Sequence, residues 1–540
     1  MHATAGTAIA SEASGSAECI HQLQLPGSEV VKWPKACAHY RPPLAISPPA
    51  GIVLNSFHRR QQRIQAVPSL PPSSSPSPRA QRVRKPILAG NGTAPLAAAG
   101  ARSTLAPDSL AESLLRAAHV IAAVRSGRSL TVALRALDPA DPATRAAAQE
   151  VAYGSLRRYG CGEFILRRLL DRTLPHAETE ALLLATLYRL HTRPDAAYMV
   201  VDQAVSAAGE LVGGAFRGLV NAVLRNYLRQ REALLTAMAD DQEATFQHPA
   251  WWLARLRRTY PDCWPELVGV GNSLPPMTLR VNRRRVTLND YVESLRRSGL
   301  PCRELGGSAL MLDRPVAVDA LPGFADGLIS IQDAGAQRAA ELLQPMAGER
   351  VLDACCAPGG KTGHLLELAD IELLALDIDG DRTRRVQDNL RRLGLVATVR
   401  VADCTASEQW WDGQPFDAIL ADVPCTASGV VRRHPDIKYL RRESDVRRFA
   451  RLQSTLLDKL WPLLRPGGRL LYATCSVFPE ENGAQIDAFL VRQPGALRLA
   501  EERLLPREEH DGFFYALLRK ALQHAVVRPD AVHLVCGASG

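Results

Sequence analysis

Arg350-Val351-Leu352-Asp353-Ala354-Cys355-Cys356-Ala357-Pro358-Gly359-Gly360-Lys361-Thr362 is the stretch that decides the fold. It begins as a short apolar strand, ends that strand on an acid at Asp353, and turns through two glycines toward a helix. Glycine permits the sharp turn and lets backbone come close to a ligand. Downstream the unit recurs. Strand-like runs at 350–353, 373–377, 397–402, 416–422, 469–474 and 513–517 alternate with helical patterns such as Asp381 to Leu393, closed by Gly394. Strand–helix alternation predicts an α/β Rossmann-like domain with a mostly parallel sheet, here over 336–520. Ligands of such sheets lie beyond the carboxyl ends of the strands.

The loop resembles a phosphate-binding G-x-x-x-x-G-K-[ST] loop, but the first glycine of that motif would fall at 355, where the chain has Cys355. Pro358 also removes an amide that would cradle phosphate. A nucleoside triphosphatase is therefore not expected. The strand ends instead carry acids: Asp353, Asp377, Asp403 and Asp422. An acid after the second strand accepts ribose hydroxyls in Rossmann-like sites. The set suits a cofactor with an adenosine and a cationic methionine part, since a triphosphate would not tolerate so many carboxylates without a metal.

Beyond the fourth strand stands Asp422-Val423-Pro424-Cys425, and beyond the fifth Thr474-Cys475-Ser476. Adjacent strands would bring Cys425 and Cys475 into one pocket. A single cysteine is most often a small buried hydrophobe, which accounts for Cys263 and Cys302. Two at matching strand ends, each in a tight polar motif, point to chemistry. Thiolate addition at cytosine C6 makes C5 enamine-like, able to take a methyl group from a sulfonium donor, and a base then removes the C5 proton. Nearby cationic charge would favour the thiolate, and Asp422 could bond the cytosine edge. The base must be unstacked to enter such a pocket. Spacing alone does not rank the two cysteines.

Outward from this domain the chain changes character. Residues 1–105 include a Pro/Ser tract at 68–79 and read as a disordered low-complexity extension. A basic arm, a transit peptide and a downstream start remain open there. Residues 106–240 carry apolar residues at helical period, as in Leu110, Leu114, Ala117, Ile121 and Val124, and read as an all-α domain. Arg217, Arg225, Arg229 and Arg231 are interleaved with its last stripe. Residues 246–335 form a mixed connector in which Trp251, Trp252 and neighbouring arginines suit RNA contact, and 521–540 form a tail. The net charge of +9, from 65 Lys+Arg against 56 Asp+Glu, fits a polyanionic partner or a solvated basic face equally well. The 11 cysteines show no C-x-x-C and no zinc spacing, which implies a reducing compartment and no metal site. No apolar run approaches the about 18 residues needed to span a membrane.

Three motifs together, Asp353–Thr362, Asp422–Cys425 and Thr474–Ser476, resemble those of the Nol/Nop/Sun RNA 5-methylcytosine methyltransferases. The likeness extends through Arg432-Arg433-His434-Pro435-Asp436, Pro479-Glu480-Glu481-Asn482 and Asp511-Gly512-Phe513-Phe514. The helical domain resembles the RNA-binding antitermination factor NusB, and the combined likeness covers about residues 107–520. The resemblance implies an S-adenosylmethionine-dependent enzyme acting on RNA, with small-subunit 16S ribosomal RNA as the expected substrate. It implies Cys475 as nucleophile, with Cys425 assisting product release. It implies cofactor binding by Cys355, Cys356, Ala357, Pro358, Gly359, Gly360 and Lys361 with Asp377, Asp403 and Asp422. Where the family often has Gly-Asp-Gly, this chain has Ala402-Asp403-Cys404. A cytoplasmic monomer is expected. Transfer RNA as substrate, and an RNA-binding module with an inactive methyltransferase domain, stand as alternatives.

Overall fold

The computed structural model describes residues 104–137 and 141–522. The expected extension at 1–105 and tail at 521–540 therefore lie almost wholly outside the described residues.

The helical region comprises α1 (Leu110–Arg125), α2 (Leu130–Leu134), α3 (Pro142–Arg157), α4 (Cys161–Leu169), α5 (Ala177–Thr192), α6 (Ala197–Glu210) and α7 (Arg217–Met238). Ser109 starts α1 by accepting a hydrogen bond from the Glu112 amide, one of the orphan donors every helix start presents. The apolar stripe read from the sequence is the buried face: Leu114, Ala117, Ala118, Ile121 and Val124 pack with Leu183, Ala204 and Leu224. Each fully buried leucine or valine contributes about 1.5–3 kcal/mol.

Three short helices follow, α8 (Gln242–Phe246), α9 (Ala250–Thr259) and α10 (Trp264–Asn272). Then comes a small antiparallel sheet made by β1 (Thr278–Val281), β2 (Cys302–Gly306), β3 (Ala309–Leu312) and β4 (Ile329–Ile331), in the order β2-β3-β1-β4, with α11 (Leu288–Arg297) between its first two strands. The structure corrects one expectation here. Trp252 is only 1% exposed and Arg255 7% exposed. Trp252 packs with Leu256, Val268 and Phe478. Arg255 pairs with Glu480 at 2.5 Å and lies over the Phe478 ring. These residues cement the connector to the segment carrying Phe478 and Glu480 instead of facing RNA. An amphipathic side chain buried with a carboxylate partner is core, whatever its charge.

The remaining chain forms α12 (Ala334–Leu343), β5 (Arg350–Asp353), α13 (Gly360–Leu368), β6 (Glu372–Asp377), α14 (Gly380–Leu393), β7 (Thr398–Val401), β8 (Phe416–Asp422), α15 (Ile437–Leu440), α16 (Glu443–Leu460), β9 (Leu464–Thr474), α17 (Gly483–Arg492), β10 (Ala496–Leu504) and β11 (Phe513–Lys520). The sheet order is β10-β11-β9-β8-β5-β6-β7. Strands β5 to β9 pair in parallel, and β10 and β11 add antiparallel. The chain runs outward from β5 through β6 and β7, then returns to place β8 on the other side of β5. That reversal makes the gap between β5 and β8 the switch point of the sheet, where α/β folds hold their ligands. Helices cover both faces, burying Leu352, Ile419 and Tyr472 on one side and Val351, Leu420 and Leu471 on the other.

The helical region meets the α/β region through α15 and the residues before it. The Asp436 carboxylate accepts the Leu130 amide at 2.9 Å. Lys438 is buried and donates to the Arg157 carbonyl and to Asn272 Oδ1, at 2.8 and 2.6 Å. Burial pushes its pKa well below the usual lysine value, and neighbouring Arg157 adds to the effect. Tyr439 packs at a tilt against Tyr159, with ring centroids 4.8 Å apart.

Candidate active site

Both flanks of the switch point carry the expected residues. Asp353 closes β5 and is buried, accepting the Thr362 hydroxyl at 2.7 Å. Its other oxygen is buried without a partner. Burial pushes this carboxyl up to about 7. The loop after it is stitched down by backbone: Ala354 donates to the Leu420 carbonyl and Cys356 to that of Leu376. Gly359 turns the chain at φ +96°, and any Cβ there would sit 3.2 Å from Val386. Asp377 holds the loop as well, accepting the Ala357 and Asp379 amides at 3.2 and 3.0 Å. Arg382 donates to the Ala357 carbonyl at 2.7 Å. Asp403 is exposed at the end of β7 and uses one oxygen to cap its own turn, accepting the Thr405 amide and hydroxyl.

Cys355 and Cys356 are held as thiols. The Cys355 pKa is raised by a hydrogen bond with Cys404 and by burial, and that of Cys356 is raised by burial. Neither is placed as a nucleophile. Lys361 reaches across the switch point to Asp422 on β8, Nζ to Oδ2 2.6 Å. Burial opposes the lysine charge, but Asp422 more than offsets it, so the pKa lies above the usual value and the cation persists. Cys475 is among the groups acting on that cation.

The two strand-end cysteines lie side by side. Strands β8 and β9 pair with Asp422 opposite Ala473, and the Cys425 and Cys475 sulfurs lie 3.4 Å apart. Cys425 is buried, while Cys475 is partly exposed. The Cys425 pKa is raised well above the ordinary value, first by its hydrogen bond to Cys475 and then by burial.

What fixes the pair is a polar strap from the turn after β9. Glu481 is fully buried, and accepts the Thr426 amide and hydroxyl at 2.8 and 2.6 Å and the Ser476 hydroxyl at 2.5 Å. One carboxylate thus ties the residue after Cys425 to the residue after Cys475. Asn482 bonds Thr474 and the Ser476 carbonyl, and the Gly429 amide donates to the Cys475 carbonyl at 2.8 Å. Behind them Arg432 and Arg433 both pair with Asp511, and Arg433 also with Asp333. The sequence contained Glu481 and Asp511 only as parts of motifs. Their role as straps depends on contacts between distant segments, which no local pattern reveals.

The donor set fits a cationic adenosyl cofactor. Asp377 bonds the Ala357 amide and Asp422 the Lys361 cation at the two sides of the loop, and one Asp353 oxygen is buried without a hydrogen-bond partner. Among the described residues, no cluster of three or more His, Cys, Asp or Glu side chains could hold a metal. Nor is any helix there long and apolar enough to cross a membrane.

Three family models match in succession: the NusB family at 112–229, the ferredoxin-like domain of RsmF/B-like methyltransferases at 248–319, and the 16S rRNA methyltransferase RsmB/F model at 340–519. Ribosomal RNA small subunit methyltransferase B of Vibrio cholerae is 43% identical over 407 residues, covering 73% of this chain and 94% of that protein. The chain belongs to the RsmB/F methyltransferase family. The Salmonella arizonae member of the same name is 42% identical over 422 residues, covering 75% of this chain and 98% of its own. Among solved structures, the crystal structure of PH0851 shares the fold with a TM-score of 0.65 and 24% identity, over 76% of this chain and 99% of that one. The RsmB/F membership agrees with the expected order, a NusB-like helical region before a mostly parallel methyltransferase sheet.

Proposed function

We propose that this RsmB/F member methylates C5 of a cytosine in small-subunit 16S ribosomal RNA, with S-adenosylmethionine as donor, Cys475 as nucleophile and Cys425 assisting release. The observation that carries the reading is the pair of thiols 3.4 Å apart, Cys475 partly exposed and Cys425 buried, with the Lys361–Asp422 pair at the switch point. The relatives' names, which specify the small-subunit ribosomal RNA, support the substrate.

S-adenosylmethionine would be held by the loop Cys355–Lys361 with Asp377, Asp403 and Asp422, and would supply an electrophilic methyl group. Lys361, paired with Asp422 at 2.6 Å, keeps a cation at the switch point. Cys475 Sγ bonds to cytosine C6, and the displaced electron pair makes C5 nucleophilic. Asp422 bonds the cytosine edge and keeps it in register. After methylation, C5 must lose its proton before the sulfur–C6 bond can break. Cys425 lies 3.4 Å from Cys475; once its own proton has passed to solvent, its thiolate takes the C5 proton, the C5–H electron pair re-forms the C5–C6 double bond, and Cys475 leaves as thiolate. Division of one difficult substitution into two easier steps is what covalent catalysis offers. The helical region is proposed to present the RNA, whose target base must leave its stack.

The test is methyl transfer to unmodified small-subunit rRNA, with bisulfite sequencing to locate the product. Wild-type protein should modify a cytosine at C5 and Cys475→Ala should not. Normal turnover by Cys475→Ala overturns the nucleophile, and transfer to tRNA alone overturns the substrate.

A further inference from the structure

Arg280, on β1 of the small sheet, is the largest charge buried without any exposure, at 0%. A guanidinium has five N–H donors in a planar fork, and here all five are matched. Nε and Nη2 donate to the two oxygens of Glu367 at 2.9 and 2.7 Å, and Nη2 also to Ser330 Oγ at 3.4 Å. Nη1 donates to Gln332 Oε1 and, at 2.7 Å, to the carbonyl of Gly360. Gly360 is the first residue of α13 and belongs to the cofactor loop; Glu367 stands near the end of the same helix. The fork therefore spans α13 from a residue on a different sheet.

Two further observations point the same way. Gly363 lets α13 pack closely: a Cβ there would lie 2.9 Å from Leu393 and in ordinary contact, 3.4 Å, with Arg280 Nη2. Arg284, in the turn after β1, donates to the Glu367 carbonyl at 3.0 Å and pairs with Asp370 at 2.7 Å. The small sheet thus grips both ends of the helix that opens on the cofactor loop. A buried Arg–Glu pair yields little net stability over apolar packing, because desolvation offsets the attraction. Its distinctive product is fixed geometry, here at the Gly360 backbone.

We propose that Arg280 is a positioning residue for the cofactor loop, so that affinity for the cofactor is set from the small sheet, outside the domain that binds it. The inference rests on the proposal that this loop takes S-adenosylmethionine.

The experiment uses the full chain and S-adenosylhomocysteine as probe, with binding followed by calorimetry. Arg280→Lys keeps a cation for Glu367 but cannot also reach the Gly360 carbonyl. Its Kd should rise about ten-fold, equal to about 1.4 kcal/mol, while RNA affinity stays within about two-fold. At saturating donor its kcat should stay near wild type while KM for the donor rises. Arg284→Ala grips the same helix away from the loop, and should lower the melting temperature with little change in Kd. Glu367→Gln removes one of the two oxygens that hold the fork and should raise Kd several-fold in a folded protein. An unchanged Kd in folded Arg280→Lys overturns the inference. If that variant does not fold, an unchanged Kd in Glu367→Gln overturns it. Failure of the wild-type chain to bind S-adenosylhomocysteine would instead overturn the proposed donor.

Discussion

Asp353 shows how the fold sets the chemistry of one group. Its carboxyl is raised by burial from 3.8 to about 7, so the folded chain holds that proton more tightly than the unfolded chain. By linkage, the folded state is then favoured as pH falls through this window, and stability is lost as pH rises from about 4 to 7. Asp353→Asn removes that slope. Urea unfolding at pH 5 and pH 8 should show the variant gaining on wild type at the higher pH. An equal difference at both values would contradict it. Lys361→Met leaves Asp422 without its partner at 2.6 Å and should slow methyl transfer at least ten-fold in folded protein; unchanged transfer would remove the Lys361–Asp422 pair from the proposed site. The strand-end acids were legible in the sequence because each follows an apolar run. The pairing of Lys361 with Asp422 was not, because it needs β8 to return beside β5 across two intervening strands.

At the scale of elements, legibility followed burial. Strands β5, β6, β8 and β9 stand inside the sheet and read as apolar runs. Strand β10 escaped notice because it is an edge strand whose residues, among them Arg498, Glu501 and Arg503, are mostly solvent-facing. The strands of the small sheet after its first escaped because they are three to five residues long, too short for a period to show. The turn carrying Glu481 is the element on which the cysteine pair depends most. Glu481→Ala strands the Thr426 and Ser476 donors in a buried place, at a cost of about 1–3 kcal/mol for each unsatisfied group. Urea denaturation should show a loss in that range, and methyl transfer should fall at least ten-fold in protein that remains folded. Full activity in a folded Glu481→Ala protein would show that the strap does not set the cysteine geometry.

Across the whole molecule, the helical and catalytic regions were recognisable from two different hydrophobic periods, 3.6 residues in one and strand–helix alternation in the other. Their contact was not, because it rests on single polar residues. Asp436→Ala leaves the buried Leu130 amide unpaired, and should cost about 1–3 kcal/mol and split one thermal transition into two; a single unshifted transition would show that Asp436 does not couple the regions. Charge was misleading at this scale, since Arg255 and Arg280 are buried structural cations and the net charge of the chain could not distinguish them from RNA-facing ones. The proposed division of labour between Cys475 and Cys425 needs the assembled protein and its RNA, and it is tested most directly by trapping. With small-subunit rRNA and S-adenosylmethionine, Cys425→Ser should accumulate a protein–RNA band that survives denaturing electrophoresis, and Cys425→Ser/Cys475→Ser should give none. A band that persists without Cys475, or ordinary turnover with no band in Cys425→Ser, would contradict it.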